Sequence, residues 1–121
     1  MHHVLLVEDE PLVMAAASAL LKSVGYSVSA AASYGEAMAI LESDPLISLV
    51  ITDVCLDTEE EGLDLAFAAS RLRPSVRVVI LSGKSRPALA ECPRNAIFLE
   101  KPYDPRLLLA AAEAAMGQPA I

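Results

Sequence analysis

The 121-residue sequence has no long apolar run, no two Lys or Arg residues side by side, and no Cys-x-x-C pair. Each absence excludes a class of function. The strand-like apolar runs hold only four to six residues, whereas a membrane-spanning helix needs about 20, so no membrane span is expected. Acidic residues arrive at Glu8 before any signal-like stretch develops, which argues against a secretory leader and makes the cytoplasm the expected compartment. Nine Lys and Arg residues are scattered among 16 Asp and Glu, for a net charge of −7. Nucleic-acid surfaces need clustered cations, so direct nucleic-acid binding is not expected. Cys55 and Cys92 each stand alone, without the spacing of a zinc pair or a redox dithiol, and are read as reduced thiols. His2 and His3 have no third ligand nearby; they are read as the start of a strand and given no function.

What is present suits a globular domain: 55% of the residues are hydrophobic and 21% charged. The length fits one core, so a single domain over residues 1–121 is expected. No internal repeat, low-complexity tract or linker interrupts it, and no output domain is expected after the last helix.

Apolar strand-like runs alternate with helical segments along the chain. His3–Val7 is followed by a helix opened by Pro11 and stopped at Gly25. Ser27–Ala31 reads as a second, weaker strand. Ser33 and Glu36 form a capping box for the next helix, which ends at Asp44-Pro45. The Leu49–Thr52 strand leads into a polar loop, Asp57 to Glu61, then Gly62 and a helix from about Leu63 to Arg73, ended by Pro74. The Val78–Leu81 strand, a segment broken by Pro87 and Pro93, the Ala96–Leu99 strand and an Ala-rich helix from Asp104 to Met116 complete the chain. Alternation of this length predicts an α/β fold with a parallel sheet, helices on both faces and right-handed crossovers.

Four of the five strands end on groups suited to phosphate chemistry. Glu8 and Asp9 follow the first, Asp53 the third, Ser82 the fourth, and Lys101 the fifth. In a doubly wound sheet of order 2-1-3-4-5 the first and third strands are neighbours at the topological switch point, where ligands bind. Glu8, Asp9 and Asp53 would then repel one another unless a cation joins them. Mg²⁺ suits such a site, since it takes a few carboxylates and fills its octahedron with water and phosphate oxygens. Asp53, the central carboxylate, is the expected nucleophile, with Lys101 and the Ser82 hydroxyl reaching the phosphoryl oxygens. Singly, each of these residues is an ordinary turn or cap former. Their joint placement, each after its own strand and on one predicted edge, points to a site.

As a set, the motifs Leu6-Val-Glu-Asp-Glu-Pro11, Val50-Ile-Thr-Asp-Val54, Leu81-Ser-Gly83 and Phe98-Leu-Glu-Lys-Pro-Tyr103 resemble those of receiver domains of two-component response regulators. The resemblance covers residues 3–116. It implies a flavodoxin-like (βα)5 fold and Mg²⁺-dependent phosphoryl transfer onto Asp53 from a sensor histidine kinase or a histidine phosphotransfer protein. It also implies that Asp9 binds Mg²⁺ directly, Glu8 mostly through water, and the Cys55 backbone carbonyl as a third protein ligand. Lys101 would contact the phosphate, Ser82 would be the switch hydroxyl, and Phe98 the switch aromatic. Phe98 reads equally well as a buried strand residue. Such a domain regulates by protein contact and is not a turnover enzyme, although it catalyses its own phosphorylation and dephosphorylation; a downstream protein target and a dimer are among its implied partners.

The chain departs from the common pattern in three places. Asp57 stands where Pro is usual, and the loop from Asp53 to Gly62 is one residue long for the family and carries Glu59-Glu-Glu61. The spacing from Ser82 to Lys101 is short, so the fourth helix is expected to be short or irregular, which weakens the usual dimer face. Cys55 occupies a position that tunes phosphoryl lifetime in receivers, and a thiol there is expected to leave decay slow to moderate. Two other functions share the topology. One is a phosphorylation-independent interaction module. The other is a hydrolytic phosphatase, which generally needs a second acid where Cys55 stands.

Overall fold

The computed structural model describes residues 2–53, 59–82, 96–100 and 104–117, with residues 59–64 and 82 described in the backbone only. Five strands form one all-parallel sheet: β1 His3–Val7, β2 Ser27–Ala31, β3 Ile47–Asp53, β4 Arg77–Ser82 and β5 Ile97–Glu100. Their order is β2-β1-β3-β4-β5, the order that the receiver-domain resemblance implies. Four helices are present among the described residues: α1 Pro11–Ser23, α2 Tyr34–Ser43, α3 Glu59–Leu72 and α4 Pro105–Met116. The short or irregular helix expected between Ser82 and Lys101 lies outside the described residues.

The period-2 alternation of β1 divides its side chains between two apolar layers. Val4 and Leu6 join Leu49, Ile51, Val79 and Leu81 beneath α1 and α4, which contribute Leu21, Leu108 and Ala112. Leu5 and Val7 join Val50 on the opposite face, covered by Ala37 and Leu41 of α2 and Leu65 and Ala69 of α3. The small side chains of α4 let that helix lie close on the sheet: Ala111, Ala112 and Ala115 are all buried. Phe98 is half-buried and packs with Ala66, Val78 and Ile80 on the α3 side.

Local chemistry sets the element ends. Pro11 opens α1 at a position where its missing N–H costs nothing. Gly25, with φ of 101°, makes the left-handed turn into β2. The Ser33 hydroxyl accepts the Glu36 N–H at 3.2 Å, as the capping box requires. The reciprocal bond is displaced by one residue, because Glu36 Oε2 accepts from the Ala32 N–H at 3.2 Å. Asp104 caps α4, accepting the Arg106 N–H at 2.8 Å. The Arg106 side chain also donates to this carboxylate and holds its pKa below the usual value.

The start of α3 differs from the sequence expectation. Glu59-Glu-Glu61, read as part of a polar loop, forms the first turn of the helix, and Gly62 lies within it. Acidic residues are favoured in a first turn by the positive end of the helix dipole. That preference outweighs the break expected from glycine, which costs a helix interior only about 1 kcal/mol relative to Ala.

Candidate functional site

β1 and β3 pair in parallel, with Val7 opposite Thr52 in the last register pair. Glu8 leaves β1 immediately beyond this pair and Asp53 ends β3, so both carboxylates emerge at the same edge on adjacent strands. Asp9, the next residue, completes the group. One carboxylate oxygen from each of Glu8, Asp9 and Asp53 lies within 4.8 Å of the others. Burial is uneven: Glu8 is 2% and Asp53 5% exposed, while Asp9 faces solvent.

Backbone bonds hold the Glu8 end of the group in place. The Glu8 N–H donates to the Ala31 carbonyl on β2 at 3.0 Å. Glu8 Oε1 accepts the Glu10 N–H at 3.2 Å, folding the carboxylate back over the start of α1. That helix begins at Pro11, so its positive end lies beside the acids.

Half a helix dipole does not neutralise three carboxylates at this spacing. Two nearly buried carboxylates and an exposed third form a hard, all-oxygen donor set. A small divalent cation that retains waters fits such a set, and Mg²⁺ is the ion of this description. Thr52, fully buried beside Asp53, donates its hydroxyl to the Asp53 backbone carbonyl at 3.1 Å.

The other predicted site residues are placed as follows. Asp53 is in register with Leu81, and Ser82 follows on β4 at the same sheet edge. Ser82 is in register with Glu100, and Phe98 with Ile80. Cys55 and Lys101 lie outside the described residues. The three acids meet as their places after neighbouring strands predict, and Thr52 joins them unpredicted. Its signal was a lone hydroxyl at the end of an apolar strand, directly before the central carboxylate.

The sequence matches the family described as "Response regulator receiver domain" over residues 4–113. It is 34% identical over 121 residues to the transcriptional regulatory protein GlrR of Escherichia coli K12, covering 98% of this chain and 27% of that protein. The chain thus spans about a quarter to a third of the length of the first curated relatives it matches. It is 30% identical over 112 residues to the response regulator receiver protein CpdR of Brucella abortus, covering 90% of this chain and 92% of that protein. Among solved structures, a response regulator receiver protein from Sinorhizobium medicae superposes with a TM-score of 0.88 at 27% identity. The match covers 95% of this chain and 94% of that one.

Proposed function

Because this chain belongs to the receiver-domain family of two-component response regulators, whose members signal by phosphorylation, we propose that Asp53 is its phosphoacceptor and that phosphorylation switches protein contacts. The observation that carries this reading is the convergence of Glu8, Asp9 and Asp53 at the switch point between β1 and β3. The donor is a sensor histidine kinase or a histidine phosphotransfer protein. A carboxylate oxygen of Asp53 attacks phosphorus, the P–N bond of the phosphohistidine breaks, and the imidazole leaves with its electron pair.

The chain's own groups position the reaction. Asp9, Glu8 and Asp53 would hold Mg²⁺, with the Cys55 carbonyl as a further ligand by the family resemblance. When bound, the ion supplies charge neutralisation for the phosphoryl oxygens. Lys101 offers its ammonium to the same oxygens, and Ser82 its hydroxyl. Ser82 closing on the phosphoryl group is coupled to Phe98, which turns inward as space opens. Phe98 carries no hydroxyl, so packing alone holds its inward state. The whole of residues 1–121 acts as a single regulatory domain and not as a turnover enzyme. No helix among the described residues is long and apolar enough to cross a membrane, and we place the domain in the cytoplasm, where its donor presents phosphohistidine and its downstream partner is a protein.

The test is intact-protein mass after incubation with Mg²⁺ and acetyl phosphate, with Asp53→Asn alongside. One base-labile phosphoryl adduct on the wild type alone is the expected result. An adduct that persists in Asp53→Asn refutes Asp53 as acceptor. No adduct at any Mg²⁺ concentration reassigns the domain to phosphorylation-independent binding.

A further inference from the structure

Thr52 is a buried polar residue in an apolar row. Val7, Thr52, Ile80 and Phe98 are successive register partners across β1, β3, β4 and β5. Val7 belongs to the apolar layer under α2 and α3, and Ile80 and Phe98 pack together beside Ala66 of α3. Thr52 follows Val50 of that same layer by two residues, on the same face of β3, and is 0% exposed. Packing alone does not explain a threonine here. Valine has nearly the same shape and carries no hydroxyl to desolvate.

The hydroxyl goes to one place that bears on chemistry, the backbone carbonyl of Asp53, at 3.1 Å. Asp53 is the last residue of β3. The register with β1 ends one residue earlier, at Val7 and Thr52, while the register with β4 continues to Asp53 and Leu81. At Asp53, therefore, β3 is in register with β4 alone. A hydrogen bond from a fully buried, β-branched side chain, whose χ1 is restricted, adds a fixed point there. Anchoring that carbonyl restrains the Asp53 backbone from which the carboxylate departs toward Glu8 and Asp9.

We infer that Thr52 is a positioning residue for phosphoryl transfer: its buried hydroxyl holds the Asp53 backbone carbonyl so that the Asp53 carboxylate is aligned for attack. The inference rests on the reading of Asp53 as the phosphoacceptor. It assigns the hydroxyl to rate and not to folding, which separates it from a structural role.

The experiment compares wild type, Thr52→Val, Thr52→Ala and Thr52→Ser in acetyl phosphate labelling at saturating Mg²⁺, followed by intact mass, with thermal melts of each protein. Val keeps the volume and Ala does not, yet both lose the hydroxyl. Both should label about tenfold more slowly at saturating donor, within the loss expected when a reacting group is slightly misplaced. Thr52→Ser should recover most of the rate. The melting temperature should instead follow volume, with Val close to wild type and Ala below it. Wild-type labelling rates in Val and Ala overturn the inference, as does a Ser variant as slow as Val. Rates that follow the melting temperatures, with Ala impaired and Val normal, also overturn it and leave Thr52 a packing residue. A wild type that takes no label overturns the phosphoacceptor reading itself, and this inference with it. A labelled wild type beside an equally labelled Val variant overturns this inference alone.

Discussion

The imidazole of His3 lies against the carboxylate of Asp44, Nδ1 to Oδ2 at 3.1 Å, at the end of the sheet opposite the three acids. The other ring nitrogen is 2.9 Å from the Ser29 hydroxyl on β2. Asp44 Oδ1 accepts the Leu46 N–H at 2.9 Å, closing the turn between α2 and β3. Behind this turn, Arg73 at the end of α3 donates to the carbonyls of Leu41, Asp44 and Ile47, the last at 3.1 Å. One side chain thus ties three helices and strands together at the base of the fold.

Removing either anchor should cost stability and leave the chemistry intact. Asp44→Ala and Arg73→Ala are each expected to lose about 1–3 kcal/mol, the scale for buried or charge-assisted hydrogen bonds left unmade. Urea unfolding should show a lower midpoint at an unchanged slope. Labelling of Asp53 should proceed at the wild-type rate in the folded fraction, because both residues sit a full strand length from Glu8 and Asp9.

The acidic group predicts opposite responses to charge removal and to metal. Three carboxylates within 4.8 Å repel by about 1–4 kcal/mol per pair at intermediate effective dielectric. In metal-free buffer, Asp53→Asn should therefore melt higher than the wild type. Mg²⁺ at a hundredfold excess over its dissociation constant should stabilise the wild type by about 2.7 kcal/mol and the variant by much less. Calorimetry with and without a chelator checks both signs. A wild type indifferent to Mg²⁺ would contradict the cation site.

Tyr26, at the turn into β2, has its pKa raised above the ordinary 10.0, first by burial and then by the negative charge of Glu113. The fold thus favours the neutral phenol. The stability this contributes is complete below pH 10.0 and is lost as pH rises through the higher folded value. Near-ultraviolet titration, taken as wild type minus Tyr26→Phe, should show this phenol ionising late. Glu113→Gln should bring it part of the way back, with burial supplying the remainder.

Ser33 carries the entry to α2 through its bond to Glu36. Ser33→Ala should cost about 1 kcal/mol, whereas Ser33→Asp, which retains an acceptor, should cost little. Thermal melts of the pair separate loss of the cap from loss of a surface hydroxyl.

Much of this architecture was legible because each strand is a compact apolar run with a clear stop. β1 and β2 match their expected spans, and the other strands differ only at their ends. β3 begins two residues early, at Ile47, because Ser48 interrupts the apolar run that marked Leu49 as its start. The Ser48 hydroxyl instead donates to the His3 carbonyl at 3.4 Å. The acids of the site were readable since each follows its own strand and the strand order makes those strands neighbours. The Thr52 hydroxyl and the Arg73 grip were not. Both depend on where a side chain ends in space, and no periodicity encodes that. Arg73 looked only like the last residue before a helix-ending proline.

Glu8 and Asp9 directly follow β1, and Asp53 ends β3. Their mutual repulsion therefore opposes the pairing of β1 with β3, the two strands whose register brings them together. β4 and β5 extend the sheet beyond β3 and, among the described residues, add no carboxylate to that group. This sheet thus carries an electrostatic cost at the β1–β3 junction, and a cation bound there would strengthen the joint between those two strands.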